Sequence, residues 1–295
     1  MRIVLAGASG LIGSALRRSL LADGADVTTL VRRAPRDAQE LRWDPAGGHL
    51  ETAALEGAHA VVCLSGAGVG DKRWTAAYKA ILRSSRIDSV ATIAAAMARV
   101  SRPPVLLAAS AVGYYGDTGE NAVNETATAG DGFLAELCED WERAAAPAAA
   151  AGARVAHLRT GLVLTHQGGL LKRLLPIVRA GVGGRLGSGR QFMPWISMAD
   201  EVSAIRFLLD NEIRGPVNLC GPNPSRNAEL ISMLAALVHR PAALPVPGIA
   251  LRLALGEFAG DALASQRVLP TVLDQAGFVH SHTELESALR WALEN

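Results

Sequence analysis

The chain holds 295 residues, 49% of them apolar and 19% charged, with a net charge of +1. This is a globular balance, long enough for one large α/β domain or one domain with an added lobe. It excludes the strong positive field that favours nucleic acid or an anionic membrane, and an aromatic content of 4% leaves little surface for stacking bases.

In chain order, residues 2–6 form a short apolar run with the pattern of a buried parallel strand. The stretch Gly7-Ala-Ser-Gly10-Leu-Ile-Gly13 follows. Helical spacing then runs from 11 to 21 and stops at Asp23-Gly24, and a second strand is predicted over 25–31. A strand over 58–64 leads into the turn Ser65-Gly66-Ala67-Gly68. Residues 74–99 are predicted as one long helix and 105–109 as a strand. Residues 133–151 read as a helix that Pro147 should end or kink. Strands are predicted again at 154–158 and 216–220. The span 181–189 carries five glycines and reads as a loop, 241–247 carries three prolines and reads as a linker, and 249–295 reads as a small helical tail.

Strands alternating with helices imply a doubly wound parallel sheet with right-handed crossovers. We therefore expect a nucleotide-binding domain over 1–165, joined by the late strand at 216–221. A smaller substrate lobe takes 166–295, including a helical tail over 246–293. No apolar run reaches the roughly 18 residues of a membrane span, and no signal-peptide pattern follows Met1. Cys63, Cys138 and Cys220 are odd in number and far apart, which fits a reduced cytoplasmic chain better than a disulfide framework. The seven histidines have no ligand spacing, so no metal site is expected.

The glycines at 7, 10 and 13 have a physical reading together. The first permits the tight turn out of the strand, the second lets backbone approach a pyrophosphate, and the third lets the helix pack on the strand. The helix N-terminus then offers free N–H groups to phosphate. Following a strand and opening a helix, this is the fingerprint of a Rossmann dinucleotide site. An NAD site usually has Asp or Glu at the end of the second strand, about 20 residues on. Here that place reads Val31-Arg32-Arg33. Two guanidiniums suit a 2′-phosphate, so NADP(H) is the expected cofactor; the plainer alternative is a pair of solvated arginines.

The spacing G-x-x-G-x-x-G resembles that of short-chain dehydrogenases/reductases. Further stretches narrow the resemblance: Leu64-Ser65-Gly66-Ala67, Arg73-Trp74, Ser85-Arg86-Ile87, Ser110-Ala-Val-Gly-Tyr-Tyr-Gly116, Trp141-Glu142 and Arg159-Thr-Gly-Leu-Val163. Gly187-Ser-Gly-Arg-Gln191, Pro194-Trp195-Ile196, Asn218-Leu-Cys-Gly-Pro222 and Ser265-Gln-Arg-Val-Leu-Pro270 extend it to the tail. The chain is similar to an atypical, extended branch of that superfamily, labelled epimerase family protein, whose tail is a domain of unknown function. The resemblance implies that Gly7, Ser9, Gly10, Leu11, Ile12 and Gly13 hold the pyrophosphate. Arg32, with Arg33, would meet the adenosine phosphate. Leu64, Ser65, Gly66, Arg86 and Val163 would complete the cofactor site. Extended members are often homodimers, though no interface is readable in the chain.

A typical member of the superfamily uses Ser, Tyr and Lys, the last two as Tyr-x-x-x-Lys on one helix, with Tyr as general acid/base. Ser110 stands where the serine belongs. The Tyr-x-x-x-Lys is missing: anchored on Trp141-Glu142, the two places hold Leu134 and Cys138, and one residue earlier they hold Phe133 and Leu137. Tyr114 and Tyr115 are the candidate replacements, the alternative being that both are aromatic lids. Arg190, Gln191 and Trp195 follow the glycine-rich loop and are the candidates to face a small polar substrate. Two functions stay open. One is an NADP(H)-dependent oxidoreductase or epimerase-like enzyme; the other is a catalytically impaired NADP(H)-binding sensor or regulatory protein.

Overall fold

The computed structural model describes residues 1–242 and 244–295. Seven strands form one sheet: β1 (Arg2–Ala6), β2 (Asp26–Val31), β3 (Glu40–Arg42), β4 (Ala60–Cys63), β5 (Val105–Ala111), β6 (Val155–Thr160) and β7 (Gly215–Leu219). Their order is β7-β6-β5-β4-β1-β2-β3, and every neighbouring pair runs parallel. This is the doubly wound α/β fold that the pattern predicted, with the strand order reversing between β1 and β4.

Because side chains alternate along a strand, each one feeds two cores. Val4, Ala6, Val61 and Leu106 face one side and pack with Val90, Ile93 and Met97 of α2 (Ala76–Met97) and Trp141 of α3 (Phe133–Arg143). Ile3, Leu5, Val62 and Leu158 face the other, against Leu16 and Leu20 of α1 (Leu11–Ala22) and Ile205 and Leu208 of the helix Met198–Asp210. Thr75 starts α2 by accepting a hydrogen bond from the Tyr78 N–H. The helix expected over 133–151 is two helices, with the break at residues 144–145 just ahead of Pro147 in Ala146–Ala150. Pro147 has no N–H to donate and sits in the first turn of its helix, where none is needed. The linker expected over 241–247 includes Ala243, which lies outside the described residues.

The lobe has its own core. Leu171 and Leu175 of Gly169–Arg179, Leu230 and Leu234 of Asn227–Leu237, and Leu285 and Leu289 of Leu285–Glu294 meet around Trp195. Two ion pairs reach back to the sheet domain, Arg173 to Asp71 at 3.3 Å and Lys79 to Glu257 at 2.8 Å. Phe258 stacks 5.2 Å from Trp74 beside the second pair. The lobe is thereby held beside the C-terminal edge of the sheet, where doubly wound proteins bind ligands. Among the described residues no helix is long and apolar enough to cross a membrane.

Candidate functional site

The turn after β1 is built on close backbone approach. Gly7 has φ +84°, and a Cβ there would stand 2.7 Å from the Leu64 carbonyl carbon. A Cβ at Gly13 would overlap the Gly7 carbonyl oxygen. Only glycine at both places lets α1 and the 64–66 segment close on the turn. Gly10 begins α1 with no side-chain cap, and the first turn carries no acid. The opening N–H groups of Leu11, Ile12 and Gly13 therefore have no helical partner and carry the positive end of the helix dipole. Ser9 is exposed on the same turn, and the Leu11 side chain touches Gly168 of the lobe.

The two arginines after β2 are not equivalent. Arg33 makes a bidentate pair with Glu40 of β3, at 2.5 and 2.6 Å. Glu40 also accepts from the Arg36 N–H at 2.8 Å. The Arg33 hydrogen bonds, then that N–H, hold the Glu40 carboxyl down at about 2. Arg32 is exposed and has no hydrogen-bond or ion-pair partner among the described residues. Arg86 lies beneath the turn at 65–67: its guanidinium donates to the Ala67 and Leu82 carbonyls at 2.8 and 3.1 Å and stacks over Trp141. It props up Gly66, which packs directly against it. Val163 lies in the short strand Leu162–Leu164, paired with Trp195–Ser197.

At the end of β5 the structure assembles a buried polar chain. The Ser110 hydroxyl donates to Glu142 at 2.7 Å. Arg159 of β6 grips both oxygens of Glu142 at 2.8 and 2.9 Å, and its third nitrogen donates to the Tyr115 hydroxyl at 2.9 Å. Tyr115 in turn donates to the Asn218 side-chain oxygen at 2.7 Å. Burial alone would raise the Glu142 carboxyl, but Arg159 and Ser110 bring it below its ordinary value. Burial also opposes the Arg159 charge, and Glu142 more than restores it. Tyr115 is 4% exposed, and burial pushes its phenol up to about 12. Its hydroxyl is engaged inside the protein by Arg159 and Asn218. Tyr114 is different. Its ring covers the Arg159 guanidinium at 3.4 Å, it is only partly buried, and its hydroxyl has no partner among the described residues.

Helix α3 turns three side chains toward the end of β5. Leu134, Cys138 and Glu142 follow one another at helical spacing. Leu134 packs on Gly113, Cys138 reaches the Ala111 carbonyl, and Glu142 takes Ser110. Burial pushes the Cys138 thiol up to about 12, away from the thiolate form that nucleophilic chemistry uses. Two of the lobe candidates are buried and hydrogen-bonded within the chain. Trp195 is 1% exposed and gives its indole N–H to the Asn223 carbonyl and Ser225 hydroxyl. Gln191 is buried and donates to the Leu186 carbonyl. Arg190 alone of the three is exposed.

Glu142, Arg159 and Asn218 were not singled out from the sequence, although each lies in a family stretch. The signal available was Arg159 itself, a guanidinium in an otherwise apolar buried strand, which demands a charged partner. Among the described residues no three His, Cys, Asp or Glu side chains could hold a metal ion. A cavity of about 830 Å³ between α1, Met198–Asp210 and the C-terminal helix contains none of the glycine-turn residues. Its Arg206 is already engaged with Ser19 and Asp23.

The family comparison agrees with this geometry. Residues 3–221 match the model of the NAD dependent epimerase/dehydratase family. This chain belongs to that family. Residues 246–292 of this epimerase/dehydratase-family chain match a second model, a domain of unknown function, DUF1731. The chain is 46% identical to an epimerase family protein of Mycobacterium bovis, over 98% of its own length and 97% of the relative's. It is 34% identical to the chloroplastic SDR39U1 homolog of Arabidopsis thaliana, over 98% of this chain and 86% of that one. The crystal structure of human epimerase family protein SDR39U1 (isoform 2) with NADPH is similar at a TM-score of 0.90 and 29% identity, covering 100% of both chains.

Proposed function

We propose that this protein binds NADP(H) and works as an oxidoreductase or epimerase-like enzyme on a small polar substrate in the cytoplasm. The observation that carries the cofactor reading is the uncapped start of α1 beneath a turn that only glycine can build. The turn at residues 7–13 would hold the pyrophosphate. Leu64, Ser65 and Val163 would flank the rest of the cofactor. Arg32 would meet the 2′-phosphate, because Arg33 is committed to Glu40. Human SDR39U1, 29% identical, was crystallised with NADPH, which supports the phosphorylated cofactor. Bound there, a nicotinamide supplies hydride exchange.

This chain's own contribution is proton handling. Tyr114 is the candidate donor, since its hydroxyl is unspent and its ring is fixed on Arg159. Glu142 locks Arg159 in place, and Ser110 completes the lock. A sensor reading has its own support: the inward face of α3 presents Leu134 and Cys138 where the superfamily places Tyr and Lys.

Titration with NADPH and NADH, followed by quenching of tryptophan fluorescence, tests the cofactor. We expect NADPH to bind at least about tenfold more tightly, with the preference lost in Arg32→Ala but retained in part by Arg33→Ala. Equal affinities in the wild type would remove the NADP assignment. Oxidation of NADPH with a panel of carbonyl compounds, abolished in Tyr114→Phe, supports the enzyme. Tight binding with no turnover across the panel supports the sensor.

A further inference from the structure

The tail crosses the C-terminal edge of the sheet with firm ends and a weak middle. At one firm end, Arg267–Val268 pairs with Ala122–Val123 in the loop after β5, and Val268 is fully buried. The Thr118 N–H donates to the Ser265 carbonyl at 2.7 Å, and the Ser265 N–H donates to Asp117 at 3.1 Å. Gln266 donates to the Val112 and Gly116 carbonyls at 3.3 and 3.2 Å, on either side of Tyr114 and Tyr115. At the other firm end, in the lobe, Val246 makes backbone hydrogen bonds with Arg185 and Gly187, both at 2.9 Å. Leu263 packs on Gly187 beside it.

Between those anchors the chain meets the loop after β4 at residues 256–258. Lys79 donates to both Glu257 oxygens at 2.8 and 3.0 Å, but the two side chains are 30% and 51% exposed. Phe258 rests 5.2 Å from Trp74, and the Arg73 guanidinium lies against Gly256. The loop they touch is itself stiff. Trp74 and Tyr78 donate to the Val69 and Gly68 carbonyls at 2.8 and 2.6 Å, and Arg86 donates to the Ala67 carbonyl at 2.8 Å. An exposed ion pair contributes little in water, and a single aromatic contact only somewhat more. Helix Gly248–Leu255 buries no residue, and helix Phe258–Leu263 buries Ala259 alone. A segment with so few buried contacts opens locally well before the fold does. Pro247 and Gly256, the latter at φ +64°, bound the first of these helices and supply hinge positions.

The loop after β4 begins with Leu64, Ser65 and Gly66, and the loop after β5 carries Tyr114. The chain over 256–268 therefore joins both walls of the cleft. We propose that residues 248–264 are a flap on that cleft, latched at Glu257 and Phe258, and that release of the latch lets the dinucleotide enter and leave. This role rests on the cofactor reading above. A gate acts on rates: more frequent opening speeds entry and departure alike and leaves affinity nearly unchanged.

Stopped-flow quenching of tryptophan fluorescence by NADPH reads both rate constants in the full chain. Glu257→Gln should raise association and dissociation together about 2- to 5-fold. Phe258→Ala should raise both about 3- to 10-fold, with Kd moving less than about threefold in either variant. Lys79→Cys with Glu257→Cys, joined by a short bismaleimide, should slow both at least about tenfold. The native Cys63, Cys138 and Cys220 are buried and do not compete for the reagent. Should Phe258→Ala fold poorly, Glu257→Gln, at an exposed side chain, carries the test together with the cross-link. Rates unchanged in the variants and in the cross-linked chain overturn the flap. Faster dissociation alone, with Kd weakened in proportion, makes Glu257 and Phe258 binding contacts and also overturns it. If neither NADPH nor NADH binds, hydrogen exchange decides. Amides of 258–263 that exchange faster than those of 265–269, and faster again in Glu257→Gln, uphold the flap while the cofactor reading falls; equal protection overturns the flap as well.

Discussion

Arg159 is the residue on which most of the buried chemistry turns. Its guanidinium is 3% exposed and pairs with Glu142 in two hydrogen bonds. Removing one member of a buried pair leaves an uncompensated charge, which costs about 3–5 kcal/mol. Arg159→Met should therefore lower unfolding free energy in urea by about that amount, whereas Arg159→Met with Glu142→Gln should lose less than the two singles summed. Full additivity would show that the pair is not coupled. Glu201 makes a second test. It is fully buried at 0% exposure, accepts from the Thr160 hydroxyl, and has its other oxygen unpartnered among the described residues. Burial raises its carboxyl to about 8 from an ordinary 4.5. The native chain thus holds a proton that the unfolded chain releases near pH 4.5. Stability from this group is full below that pH and is lost as pH rises to about 8. Glu201→Gln should match the wild type near pH 4 and exceed it at pH 8, by at most about 5 kcal/mol. A difference independent of pH would place the carboxyl in its ordinary range.

At the scale of elements, α1 depends on Gly13 for reasons opposite to helix propensity. An interior Gly→Ala change ordinarily stabilises a helix by about 1 kcal/mol. Here the added methyl meets the Gly7 carbonyl oxygen. Gly13→Ala should instead destabilise the fold by about 1–3 kcal/mol and weaken NADPH binding, because α1 must retreat from the turn. Thermal unfolding and the fluorescence titration read the two effects separately. The glycine turn and the early strands were legible in the sequence, because each depends on neighbours within one or two turns of chain. Short strands such as Glu40–Arg42 and Phe192–Met193 were not legible, since two or three residues carry no readable period. Glu40 mattered most among these: without β3 there was no reason to separate Arg33 from Arg32.

For the whole molecule, stability is uneven in a way that follows burial. The helix Met198–Asp210 buries seven residues between sheet and lobe, whereas Gly248–Leu255 buries none and leaves Ile249 and Leu253 about 70% exposed. Native-state hydrogen exchange should show amides of Gly248–Leu255 opening at far lower free energy than those of Met198–Asp210. Equal protection would mean that the tail helix has a partner in solution. This exposed helix begins the same tail that supplies Glu257, Phe258 and Arg267 to the sheet domain.

The sequence by itself determined the alternation of the main strands and helices, the dinucleotide turn and the absence of an acid after β2. These follow from steric rules and periodicities acting between near neighbours. Only the tertiary structure decided which charges are already spent. It committed Arg33 to Glu40, Tyr115 to Arg159 and Asn218, and Trp195 to the lobe core, and it left Arg32 and the Tyr114 hydroxyl without hydrogen-bond partners among the described residues. It also brought Glu120 to Arg226 across 106 positions of chain. A guanidinium or hydroxyl in a linear chain carries no mark of its partner, because that choice is made when folding removes water and the nearest opposite group becomes the one able to satisfy it.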